Sequence, residues 1–178
     1  MPAESAVIGA TMATYNLITG GSGGTILLSD NFSSPGWATG SDASSSVQYV
    51  NNALKFTLLT NDYFVWSGPN DLDYMNTHME VTVINSNTRP TTAFGVICNQ
   101  QGADLSSFYY FAISPMGEYA IAKAESGQTD IFLTGNGTWA FSNLIAQNAS
   151  SYRTGADCGH NTLPLYVDGT QIASVTNS

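Results

Sequence analysis

The amino-acid sequence predicts an all-β fold, an antiparallel sandwich of two layers. Three observations predict it. Residues 94–124, FGVICNQQGADLSSFYYFAISPMGEYAIAKA, divide into three strand-length runs with side chains alternating in character, the period of two that a pleated sheet imposes. Short apolar runs recur along the rest of the chain between Asn, Asp, Gly and Pro breaks, the punctuation of an all-β domain. Asp168-Gly169 separates TLPLYV from TQIASV, a strong signal for a type I′ hairpin.

The elements follow in order. Residues 1–19 form an N-terminal arm whose segment AVIGATMATYNLIT is apolar and β-compatible. Residues 20–24, GGSGG, read as a flexible hinge, and residues 25–178 as the main domain. TILLSDNF is an apolar strand ending in a turn at Ser33-Ser34-Pro35-Gly36. Strands follow at SVQYV, ALKFTLL, DYFVWS and HMEVTVI, divided by Asn51-Asn52 and Gly68-Pro69. In HMEVTVI, Met79, Val81 and Val83 take the core side, and Glu80 and Thr82 the solvent side.

In SSFYYFAIS both faces are apolar, with Phe108, Tyr110 and Ala112 on one and Tyr109, Phe111 and Ile113 on the other. This strand should be covered on both sides. Pro115-Met116-Gly117 turns the chain into EYAIAKA, which sets Tyr119 and Ile121 against small alanines. DIFLT, SYRTGADC, TLPLYV and TQIASV complete the strands, and only FSNLIAQ suits a helical turn.

Composition narrows the function. Of 178 residues only 10% are charged, against an average of roughly 25%. Lys and Arg number 4 against 13 Asp and Glu, a net charge of −9. Lys55, Arg89, Lys123 and Arg153 are scattered, so nucleic acid and anionic membrane surfaces are excluded as partners. No apolar run approaches the ~20 residues of a membrane-spanning helix, and the first residues lack the basic leader of an ordinary signal peptide.

Polarity resides in Ser, Thr, Asn and Gln, as in secreted and cell-surface β proteins. Asn31, Asn136 and Asn148 open glycosylation sequons. Cys98 and Cys158 are the only cysteines and have no metal-type spacing. A structural disulfide is the preferred reading, and two buried thiols the alternative.

Catalytic groups are sparse. Gly20-Gly21-Ser22-Gly23-Gly24 matches a nucleophile elbow in letters, but a glycine linker between strands is not the strand–turn–helix that motif needs. Glu4, Glu80, Glu118 and Glu125 are the only glutamates, and none shares a strand with a second carboxylate at glycosidase spacing. His78 and His160 lack paired-histidine spacing, so each is expected as a surface or hydrogen-bonded residue rather than a zinc ligand. Asp71 and Asp73, in Asn70-Asp71-Leu72-Asp73 and with Asp62 or Asp104 nearby, offer oxygens to Ca²⁺. An Asn/Asp turn explains the same cluster. Trp37, Trp66, Tyr109, Tyr110 and Trp139 are candidates for stacking on sugar rings, Trp37 and Trp139 foremost because they lie near loops.

From Ser29 to Val175 the chain resembles bacterial laminin-G-like, concanavalin-A-like jelly-roll domains. The pieces that carry the resemblance are SDNFSSPGW, DYFVWSGP, HMEVTV, FGVICNQ, SFYYFAIS with GEYAIAK, and ADC followed by TLPLYVDGTQIASV. It implies two stacked antiparallel sheets and a close approach of Cys98 to Cys158, but no single activity. Pro164 departs from the family pattern and implies an edge or a bulge.

The family's closing Gly-rich strand and Asp-Phe strand have no counterpart before Ser178. A sandwich lacking them exposes backbone and core, and the N-terminal arm is the natural remedy. It can fold back on its own domain or enter a neighbouring subunit as a donor strand; a disordered leader is the third reading. In trans the contact is head-to-tail and propagates as a filament unless it closes a ring. Val7, Ile8, Met12, Tyr15, Leu17 and Ile18 would make the contacts.

The expectation is therefore a non-enzymatic extracellular structural or adhesive subunit, self-associating as a homopolymer and needing no cofactor. The alternative is a carbohydrate-binding module using exposed aromatics, with Ca²⁺ assisting.

Overall fold

The computed structural model describes residues 8–19, 24–69, 76–85, 91–101, 107–159 and 161–176. The strands are β1 (Ile8–Thr19), β2 (Ile26–Asp30), β3 (Gly40–Ser41), β4 (Ser45–Tyr49), β5 (Leu54–Leu58), β6 (Thr77–Asn85) and β7 (Phe94–Gln101). They continue as β8 (Ser107–Ile113), β9 (Glu118–Glu125), β10 (Ile131–Phe132), β11 (Ala140–Phe141), β12 (Ser151–Cys158), β13 (Thr162–Val167) and β14 (Thr170–Thr176). The fold is all-β, and the described residues contain no helix.

Among the described residues the strands form two antiparallel sheets. The nine-stranded sheet runs β14-β13-β12-β6-β1-β5-β4-β3, with β2 also paired to β1. The five-stranded sheet runs β10-β9-β8-β7, with β11 also on β9. Their inner faces share one apolar core. The larger sheet contributes Leu54, Val81, Val83, Leu163 and Leu165, and the smaller one Val96, Phe111, Ile113 and Ile121. Cys98 of β7 and Cys158 of β12 form a disulfide across the two sheets, their Cα atoms 5.8 Å apart.

Turn chemistry agrees with the strand order. Asn51 and Asn52, at φ 52° and 56°, close the β4–β5 hairpin with Val50 and Ala53 bonded at 2.9 Å. Asp168 and Gly169, at φ 51° and 82°, close β13–β14. Both pairs carry the positive φ values of a type I′ turn. β6 alternates as its sequence predicts, with Met79, Val81 and Val83 buried in the core.

Three expectations need correction. DYFVWS is not a strand: among the described residues its backbone has no ladder partner, and it is held instead by a Trp37–Pro69 bridge and a Ser67 Oγ bond to the Ala38 carbonyl. Val65 packs toward the core from this segment, while Phe64 stacks on Phe108 of β8 at 5.8 Å. The cover expected over the outer face of β8 is thus partial, because Phe64 itself remains 52% exposed. FSNLIAQ forms turns rather than a helical turn, with Ile145 plugging the core. Pro164 lies in a strand flanked by β12 and β14. It is therefore not at an edge, but the other expected feature, a bulge, is present between Leu165 and Tyr166, where it shifts the β14 register, and the β12 ladder reaches only Leu165, the residue after the proline.

Candidate functional site

Strand β1 occupies the centre of the large sheet. Along one side it pairs with β6 from Ala10↔Asn85 to Thr19↔Thr77. Along the other it pairs first with β5, from Ile8↔Leu58 to Met12↔Leu54, and then with β2, from Tyr15↔Asp30 to Ile18↔Ile26. Without β1, β6 on one side and β5 with β2 on the other would present facing rows of unpaired backbone, a slot one strand wide.

The strand does not keep one alternation throughout. Its register against β6 shifts between Met12 and Thr14, a bulge in which the extra residue exchanges the two faces. Met12 therefore packs on the core beside Val83. Ile18, six residues on, pairs with His78 on the opposite face. Among the expected arm contacts, Val7 lies outside the described residues, and Ile8, Met12, Tyr15, Leu17 and Ile18 all belong to β1.

The outer face beside β1 holds a polar cluster that sequence reading missed. His78 is 1% exposed although it lies on the side away from the core. Its Nδ1 is 2.6 Å from Asp157 Oδ1. Its Nε2 lies 3.4 Å from Glu80 Oε1, within Coulombic reach but not aligned as a hydrogen bond. The Tyr166 hydroxyl donates to Asp157 Oδ2 at 2.8 Å, and the Tyr166 ring meets the imidazole edge-on at 5.3 Å. Burial, and then the bond to Asp157, push the Tyr166 phenol up to about 12. Arg153 Nε stands 4.0 Å from Glu80.

Gly155 makes room for this cluster, since a Cβ there would meet Met79 O at 2.9 Å and Glu80 Cγ at 3.1 Å. Two signals in the sequence pointed this way: a glycine inside the strand pattern RTGADC, and His78 and Glu80 two apart on the outward side of β6.

The other candidates are dispersed. Trp37 is 5% exposed, edge-on to Phe32 at 5.2 Å, with its Nε1–H donating to Asp30 at 2.9 Å. It is a core residue with no open ring face for a sugar. Trp139 is half-buried against Phe132. Asn31, Asn136 and Asn148 are exposed, the last two at φ 57° and 54° in turns. Asp71, Asp73 and His160 lie outside the described residues. Among the described residues no group of three or more His, Cys, Asp or Glu side chains is placed to hold a metal ion, and no helix is long and apolar enough to cross a membrane.

Comparison with known proteins finds no match to a family model, to a curated protein or to a solved structure.

Proposed function

We propose that this chain is a non-enzymatic structural or adhesive subunit of the cell exterior, a jelly-roll sandwich of the laminin-G-like kind whose N-terminal strand is exchanged between copies. The observation that carries this reading is the place of β1 at the centre of the large sheet, between β6 and β5. A strand so placed is needed to close the sheet, yet GGSGG tethers it to β2. In a chain of copies, each β1 fills the slot of the next and the Gly-rich tether becomes the joint between domains. The disulfide between the sheets suits an oxidising, extracellular setting.

Cysteine trapping tests the exchange. Thr11 and Ile84 are register partners across β1 and β6, close enough for a disulfide. Mixing a Thr11→Cys chain with an Ile84→Cys chain should give a covalent link between different molecules, with filaments or large particles by electron microscopy. A Thr11→Cys/Ile84→Cys double variant that closes only on itself, in a sample that stays monomeric, would overturn it.

A second reading, a carbohydrate-binding module, draws on exposed aromatics. Phe64 and Trp66 are 52% and 41% exposed, with Phe64 against Phe108 and Tyr110, and such rings suit stacking on sugars. Glycan-array binding lost on Trp66→Ala would favour it.

A further inference from the structure

The strand slot has a chemical character of its own, set by the outer face of β6 and β12. Register lines up three rows across β1, β6 and β12. Ile18 stands beside His78 and Asp157, Asn16 beside Glu80 and Gly155, and Thr14 beside Thr82 and Arg153. Carboxylates thus lie behind the first two rows and a guanidinium behind the third. β1 itself, IGATMATYNLIT, carries no charged side chain.

We infer that the cluster of His78, Glu80 and Asp157 is the specificity determinant of the slot, admitting an uncharged strand with Asn and Ile opposite Glu80 and His78 and rejecting an acidic one. The partner it fits is β1 of a second copy, so the inference rests on the strand-exchange reading above. Cross-strand neighbours on one face are in direct contact range, and like charges set opposite one another are destabilising. An acid at position 16 faces Glu80, which Arg153 at 4.0 Å only partly offsets. An acid at position 14 lies in the row of Arg153 and has no carboxylate as its register partner among the described residues.

The enclosure of His78 supports the same assignment. The ring is 1% exposed on the solvent side of the sheet, walled by Tyr166 and Asp157 from β13 and β12 and flanked on the β1 side by Ile18. The occupying strand therefore completes the cover of a buried polar group, and polar groups of this kind fix register. A two-residue slip would put Asn16 beside His78 and Thr14 beside Glu80, exchanging the apolar wall of the imidazole for an amide.

The test uses full chains. Ser29 Oγ donates to Asn16 Oδ1 at 2.8 Å, and a carboxylate accepts that bond equally well, so Asn16→Asp changes charge while keeping the contact. Donor chains carrying Thr11→Cys with Asn16→Asp should cross-link to Ile84→Cys acceptors about fivefold less than the Thr11→Cys donor alone. Glu80→Gln in the acceptor should restore the yield, and Thr14→Asp in the donor should leave it within about twofold. Equal losses for the two acidic donors, or no rescue by Glu80→Gln, overturn the inference. Absence of any intermolecular product from the unmodified pair overturns strand exchange instead. Selection is then read in the thermal midpoint of each chain, where Asn16→Asp must lower it, Glu80→Gln must restore it and Thr14→Asp must not change it.

Discussion

His78 Nδ1 and Asp157 Oδ1 meet at 2.6 Å as direct register partners across β6 and β12. They are 79 residues apart in the chain, so their contact depends on the large sheet being assembled in the correct register. Everything around the pair is arranged to allow a ring on the outer face to be covered.

Gly155 is the most sensitive part of that arrangement. Its missing Cβ would stand 2.9 Å from the Met79 carbonyl and 3.4 Å from the His78 ring, and the carbonyl cannot retreat without opening the ladder. Gly155→Ala should cost about 1–3 kcal/mol of stability, measured by urea denaturation, with the tyrosine environment near His78 perturbed in near-ultraviolet circular dichroism.

Tyr166 predicts an alkaline signature. Its folded-state value, raised to about 12, exceeds that of a free tyrosine near 10, so the folded chain holds a proton that the unfolded chain has released. Stability is full below the free value and is lost as pH rises through that window. Tyr110 is raised in the same direction by burial and by its bond to Asp130, and Tyr152 by burial, so the wild-type curve contains all three losses. Tyr166→Phe should flatten the fall in thermal midpoint between about pH 10 and 12; an unchanged slope would remove Tyr166 from the account.

Reducing the Cys98–Cys158 bridge frees a loop with a sequence separation of 60. A Cys98→Ser/Cys158→Ser variant should lose about 4 kcal/mol, read as a lower denaturation midpoint. The loss should be similar for wild-type protein held under reductant.

Tyr152 ties the turn before β12 to the strand. Its hydroxyl donates to the Ala146 carbonyl at 2.7 Å and accepts from the Ala149 N–H at 3.0 Å, while its ring is 1% exposed in the core. Tyr152→Phe keeps the packing and removes both bonds. It should cost about 1–3 kcal/mol, and hydrogen exchange should quicken at the Ala149 amide.

Where local pattern decides structure, the sequence was legible. The alternation of β6, the succession β7–β8–β9 and the Asp168-Gly169 turn all follow from period and turn chemistry within a few residues. The failures share a cause, because each depends on a partner far along the chain. DYFVWS has the composition of a strand, but a strand also needs a neighbour with free backbone, and none among the described residues pairs with it. Trp37 sits near a turn in sequence, yet Phe32 and Asp30 fold over it. The faces of Met12 and Ile18 separate only because of a bulge that no alternation pattern between them reveals. The outer-face cluster joins β6, β12 and β13, and its two signals, Gly155 and the His78/Glu80 pair, gain meaning only once those strands are aligned.

The pairing of β1 also has a consequence in time. Its ladder partners in β5 and β6 lie between Leu54 and Asn85, so during synthesis the strand leaves the ribosome well before anything exists for it to pair with, apart from β2. An uncharged, β-compatible segment then waits exposed while the middle of the chain is made. The order of emergence thus leaves the pairing of β1 with β5 and β6 until the middle of the chain has been made.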